Sequence, residues 1–267
     1  MVPVFRGKMK GCIVLLLMMI ILPAPLFALS LFGQLLNLPP VPAPEMYGEI
    51  IMDKNSANKE IGLVRFSHSK HRVKYTCRVC HYELDFAMKS GETSFVCDQG
   101  RMNGKYCAVC HDGKISFGPR DGDKYNCRKC HGAGANSSGT KFAELQGRLP
   151  RTKFGDEIDW ARAMENGLIK PEDTLSGKKK EMVNIKTLTL RAEWSGISSA
   201  IFPHLTHERW LDCAICHPDL FNIKKKTTAT LRMSNMVNGE SCGLCHLRVA
   251  FPLDDCRRCH PDMNGSY

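Results

Sequence analysis

The pattern Cys-x-x-Cys-His recurs six times in this chain, as Cys77-Cys80-His81, Cys107-Cys110-His111, Cys127-Cys130-His131, Cys213-Cys216-His217, Cys242-Cys245-His246 and Cys256-Cys259-His260. Two thiols about one helical turn apart reach both vinyl groups of one porphyrin, and the next residue swings beneath the ring to give iron an imidazole. The pattern therefore reads as covalent attachment of six c-type haems. Tetrahedral zinc sites and redox dithiols also use Cys-x-x-Cys pairs. Neither explains a His directly after the second Cys in all six copies, and a disulfide scaffold has no reason for one.

Six of the ten histidines are thereby proximal ligands, leaving His68, His71, His204 and His207. A lone His is more often structural than ligating. These four instead form two identical pairs, placed nine and six residues before Cys77 and nine and six before Cys213. That regularity reads as distal ligation. One haem in each half is left without a sixth His. Met102 and Met236, shortly before the middle motifs, are candidate replacements. Met ligation would raise the potential of such a haem, whereas the ordinary reading of each Met is a gap-filling apolar residue. Cys97 is a weaker candidate, read as a buried thiol.

The elements that position these residues repeat as well. The first two motifs lie 30 residues apart in the first half and 29 in the second, and the third follows after 20 and 14. Phe66-Ser67-His68 corresponds to Phe202-Pro203-His204, and Phe117 to Phe251. The expected organisation is a first three-haem module over 61–135 and a second over 200–267. Residues 29–60 read as a Pro-rich linker and lead-in. Residues 136–199 read as a linker with one short amphipathic helix over 156–166, capped by Asp156 and followed by Gly167. Gly132 to Gly139 is a flexible join between them.

Residues 1–28 have the layout of a secretory signal peptide: Arg6, Lys8 and Lys10, an apolar run from Cys12 to Leu22, then Pro23-Ala24-Pro25-Leu26-Phe27-Ala28. Prolines interrupt the run before it reaches the ~20 residues that span a bilayer. This favours cleavage over the alternative, a short N-terminal anchor giving membrane association. An exported location, periplasmic or beyond, agrees with haem attachment outside the cytoplasm.

The formal charge of +10 falls to +7 without residues 1–28, which carry three positive and no negative side chains. Haem propionates lower it further. The basic side chains are thus partners for carboxylates rather than for nucleic acid. Lys178-Lys179-Lys180 and Lys224-Lys225-Lys226 read as solvated charge runs, with docking of an acidic partner as the alternative. About 40 mature residues per haem is too few for an ordinary side-chain core, so porphyrins must supply much of the buried apolar surface. The expected fold is mostly irregular, with short α-helices at the attachment motifs, haem-dominated cores and little sheet.

His68-x-x-His71 before Cys77-x-x-Cys80-His81, with two further motifs, resembles the triheme cytochrome c7 family, a relative of tetraheme cytochrome c3. The likeness covers 63–131 and again 202–260. Stretches such as Tyr75-Thr76-Cys77-Arg78-Val79-Cys80-His81 and Gly104-Lys105-Tyr106-Cys107 resemble tandem c7-type proteins of metal-respiring bacteria. The resemblance implies two c7/c3-like triheme modules. It also implies pairing of His68 with His81, His71 with His111, His204 with His217 and His207 with His246. The family's third distal His falls at Asn103 and Asn238 here. The haems at His131 and His260 are thus the ones whose sixth ligand is open.

Saturated irons suit an electron carrier or conduit in anaerobic or extracellular respiration, working with other redox proteins: multihaem cytochromes and quinol-linked or outer-membrane complexes. The alternative is a multihaem reductase that uses an open third haem. A third reading, a subunit of a haem filament or outer-membrane conduit, concerns assembly rather than chemistry.

Overall fold

A computed structural model of the protein describes residues 38–52, 62–93, 97–98, 101–102, 104–122, 124–131, 140–177, 181, 186–192, 197–221 and 231–263. Side chains of residues 97–98, 101–102, 121, 124 and 140 are not part of that description. The leader with Cys12, the flexible join, the two triple-lysine runs and Asn103 lie outside the described residues. Two compact units divide the chain, Met1–Leu38 and Pro39–Tyr267. Only Leu38 of the first is described, and all that follows concerns the second.

Each half of that unit opens on the same hairpin. Strand β1 (Glu49–Met52) pairs antiparallel with β2 (Val64–Ser67), Glu49 opposite Ser67 and Met52 opposite Val64. The chain then turns directly into α1 (His68–Arg72). Two-residue ladders follow: β3 (Cys97–Asp98) with β4 (Arg101–Met102), and β5 (Arg120–Asp121) with β6 (Lys124–Tyr125). Two helices stand in the inter-module stretch, α2 (Thr140–Gln146) and α3 (Trp160–Glu165). The second half repeats the hairpin, with β7 (Thr187–Leu190) on β8 (Ala200–Pro203), Thr187 opposite Pro203 and Leu190 opposite Ala200. It continues into α4 (His204–Glu208), then α5 (Cys213–Cys216), α6 (Met233–Val237), α7 (Gly243–His246) and α8 (Cys256–Cys259). The first-half motifs sit on equally short turns of helix, Val79–Glu83, Tyr106–Val109 and Cys127–Lys129. The chain is mostly irregular, with short helices at the motifs and small two-stranded sheets, as the spacing predicts.

Helices of four or five residues have no stability of their own. Their ends are pinned locally: the Asp212 side chain accepts from Ala214 N–H at the start of α5, at 3.1 Å. The expected helix of the inter-module stretch begins later than its sequence pattern indicates. It is capped by Asp159, whose side chain accepts from Arg162 N–H at 3.1 Å, rather than by Asp156. Asp156 is drawn off by tertiary bonds instead, accepting from the Ser69 hydroxyl and the Trp160 indole, each at 2.8 Å. Thr140–Gln146 adds a second helix where one was expected.

That inter-module stretch holds the conventional core. Leu149, Ile158, Trp160, Ala163 and Ile169 are buried together, with Phe142, Leu145 and Met164 around them. Val73 from the first half and Trp210 from the second pack against the same cluster. Apolar burial of this kind is the main driving force of folding. Here it works at the joint between the repeated halves rather than within either.

Candidate haem-binding site

All ten histidines make the same bond. Nδ1 of His81, His111, His217 and His246 meets the carbonyl of Phe86, Phe117, Phe221 and Phe251 respectively, at 2.6–2.9 Å. His131 and His260 are held by Gly62 and Ser198 at 3.0 and 2.7 Å. His68 and His204 reach Gly48 and Lys186, both at 3.0 Å, and His71 and His207 reach Ser67 and Pro203 at 2.7 and 3.0 Å. A carbonyl only accepts, so each Nδ1 carries the proton and each Nε2 keeps its lone pair. That tautomer, held by a backbone acceptor, is the form in which imidazole ligates a metal through Nε2.

The anchors come from recurring places. The residue ahead of β1 or β7 takes the first distal-type His, and the last residue of β2 or β8 takes the second. Residues two before β2 and β8, Gly62 and Ser198, take the His of the third motif. Phe66 meets His68 edge-on and lies against His71, with centroids 4.8 and 4.4 Å away, and Phe202 does the same with His204 and His207 at 4.8 and 4.2 Å. Sequence reasoning marked these phenylalanines only as parts of the repeat. Their fixed offset from each His pair was the available signal. The carbonyls of Gly48, Gly62, Lys186 and Ser198 had none, because any residue supplies a carbonyl.

Three histidine ring pairs stand opposite each other across a gap. His68 and His81 have centroids 6.4 Å apart and planes within 6°. His71 and His111 are 6.2 Å apart, as are His207 and His246. Two metal–nitrogen bonds of about 2.0 Å plus two half-rings of about 1.1 Å require about 6.2 Å between centroids. Each pair therefore has room for one iron. Among the described residues His204 and His217 are not brought into such a pair. Burial holds the pKa of His68 down at about 3 and of His246 at about 4, and lowers those of His71, His81 and His207. These rings stay neutral at pH 7.

The thiols do not favour the rival chemistries. The twelve motif cysteines form no disulfide. Burial pushes Cys80 and Cys245 up to about 12, and Cys242 and Cys259 up to about 11. Dithiol exchange is favoured by a lowered thiol pKa, the opposite of what burial does here. Among the described residues no three His, Cys, Asp or Glu side chains converge as an ion site. What the motifs line instead is one largely apolar cavity of about 2090 Å³, shared by Cys77, Cys80, His81, Cys107, Cys110 and His111 from the first half and Cys242, Cys245 and His246 from the second.

Met236 is half-buried on α6, and its backbone carbonyl lies where a side chain at Gly243 would be. Only glycine fits there, inside the fifth motif. The side chains of Met102 and Cys97 are not among those described.

Vinyl-reactive thiol pairs, imidazoles with free Nε2 and an apolar cavity between them define a multihaem c-type cytochrome, an electron-transfer protein. The family described as cytochrome c7 and related cytochrome c matches residues 64–132 and 200–261, and the chain belongs to it as two tandem modules. No curated protein and no solved structure matches the chain. The residues fit haem c. Beyond the ring spacing, the Thr76 hydroxyl directly before Cys77 is buried without a hydrogen-bond partner and lines the cavity, as a donor to a propionate would.

Proposed function

We propose that the protein is a hexahaem conduit that carries electrons in anaerobic or extracellular respiration. The observation that carries this reading is the tenfold recurrence of one bond, Nδ1–H to a backbone carbonyl, at every histidine of the chain. Six such rings follow attachment cysteines, and four precede them in the two pairs at 68/71 and 204/207. Haem c supplies a one-electron couple, and the chain supplies everything that sets it. The six thiol pairs fix each porphyrin. His81, His111, His131, His217, His246 and His260 would each hold one iron, and His68, His71, His204 and His207 would supply a second imidazole to four of them. The apolar cavity excludes water, which limits the reorganisation that accompanies each transfer. Export through residues 1–28 suits the family, which is typically periplasmic. The partners are other redox proteins, namely multihaem cytochromes and quinol-linked or outer-membrane complexes, and not nucleic acid.

The reductase reading is kept alive by one observation: among the described residues no second histidine ring contacts that of His131 or His260. Intact mass and low-temperature EPR of the ferric holoprotein test both. Six haem additions with every iron low-spin support the conduit. Two high-spin irons that bind nitrite or cyanide support a reductase, and fewer than six additions overturn the haem count.

A further inference from the structure

Arg72 ends α1, one residue after His71, and reaches out of its own module. Its Nη2 donates to the Val249 carbonyl at 2.7 Å, and Val249 N–H in turn donates to the Cys245 carbonyl at 3.0 Å. The guanidinium lies over the buried Trp160 ring, 4.9 Å from its centroid. Among the described residues no carboxylate forms an ion pair with it. Asp156 accepts from Ser69 and from the Trp160 indole rather than from Arg72. Arg72 lines the same cavity as Cys77, His81, Cys245 and His246.

A second set of bonds fixes the same junction. Arg78, between the cysteines of the first motif, pairs with Glu83 and with Asp212 at 2.9 Å, and its N–H donates to the Trp210 carbonyl at 2.9 Å. The first motif is therefore held against the second module beside Cys213 and, through Arg72, beside Cys245. The charge is felt on both sides. Burial raises the thiols of Cys77 and Cys245, and Arg72 works against that rise at each.

We infer that Arg72 is a fixed positive charge shared by the haem on Cys77–Cys80 and the haem on Cys242–Cys245, and that electrons cross between the modules at this pair. The inference rests on the hexahaem reading above. A reduced haem carries one more negative charge than an oxidised one, so a partly desolvated cation stabilises the reduced form of both. The step itself moves one electron from one iron to the other, with no bond made and no proton transferred.

The test is a redox titration of the R72Q holoprotein, followed by NMR with haem methyl signals assigned. Two haems, one per module, should become harder to reduce, each by about tenfold in the equilibrium constant, or about 59 mV for one electron. R72K, which keeps the charge, should hold both within about threefold of wild type. A shift confined to one haem, spread evenly over all, or absent overturns the inference. If R72Q does not accumulate with its full haem complement, the wild-type protein decides. Nuclear Overhauser contacts between the haems of Cys77–Cys80 and Cys242–Cys245 are expected, and their absence overturns it. Fewer than six haems in the wild type defeats the hexahaem reading itself. Six haems without the paired shift defeats this inference alone.

Discussion

The two modules hold their histidines by the same carbonyl bonds, but they differ in the His68–His81 pair, which His204 and His217 do not form, and wherever the module meets the rest of the chain. The hairpin register, the carbonyl anchors and the phenylalanine contacts recur in both. Yet position 78 is an arginine bonded across to Asp212, whereas its counterpart Ala214, in the first turn of α5, contributes only a backbone N–H. Position 108 is a buried alanine, and its counterpart Gly243 lies against the Met236 carbonyl. His68 bonds to Gly48 in a partly buried setting, His204 to Lys186 in an exposed one. Ligand anchoring is thus set by a short local stretch and survives duplication. Packing is set by what each copy must seal against, and diverges.

Trp160 is the part both modules share, so its loss should blur the difference between them. Trp160→Ala should cost about 4 kcal/mol, as for a large buried aromatic, and loosen both modules together in hydrogen exchange on the holoprotein. Protection lost from one module only would mean that the inter-module core serves that module alone. The next largest effect should separate the copies. Gly243→Ala drives a methyl into a backbone carbonyl and should cost about 3 kcal/mol, with haem lost from the fifth motif by intact mass. Ala108→Gly, the mirror change, should cost about 1 kcal/mol.

Acid should act on the modules and spare the stretch between them, because residues 140–177 contain no histidine. His68 has its folded pKa depressed from 6.5 to about 3, and His246 from 6.5 to about 4. The unfolded chain therefore binds protons first. The stability these rings contribute is complete above pH 6.5 and is lost as pH falls from there towards 4 and 3. Denaturation midpoints measured at pH 7, 5 and 4 should fall in that order, with low-spin haem absorption lost and the 140–177 amides still protected. A midpoint that does not move between pH 7 and 4 would show that the fold does not withhold these rings from protons that the unfolded chain takes up. The smallest effect is at a cap. Asp159→Ala should cost about 1 kcal/mol through α3 and leave the haem spectrum unchanged.

Much of the site was legible along the chain. Cys-x-x-Cys-His is a local chemical unit, and its geometry is complete within five residues. The His pairs at 68/71 and 204/207 show themselves by recurring at one distance from a motif. The scarcity of regular structure followed from the small number of residues per haem. The helix over 156–166 was placed too early because Asp156 and Asp159 are equally good caps by residue type, and only the Ser69 and Trp160 bonds choose between them. β1 and β7 fell in stretches that read as linkers. A four-residue strand such as Glu-Ile-Ile-Met carries too little pattern to stand out from its surroundings.

The sequence by itself determined the six Cys-x-x-Cys-His motifs, the four further histidines at fixed distances before them, and the duplication of that pattern. These depend on covalent chemistry and on spacings of a few residues. Only the tertiary structure decided which carbonyl fixes each imidazole's tautomer, where the side-chain core lies, and that Arg72 and Arg78 bind the first motif to the second module. Those contacts join residues as far apart as Arg72 and Val249 or Arg78 and Asp212. Their partners are backbone carbonyls and common acids, groups that leave no periodic trace for a reader of the chain to follow.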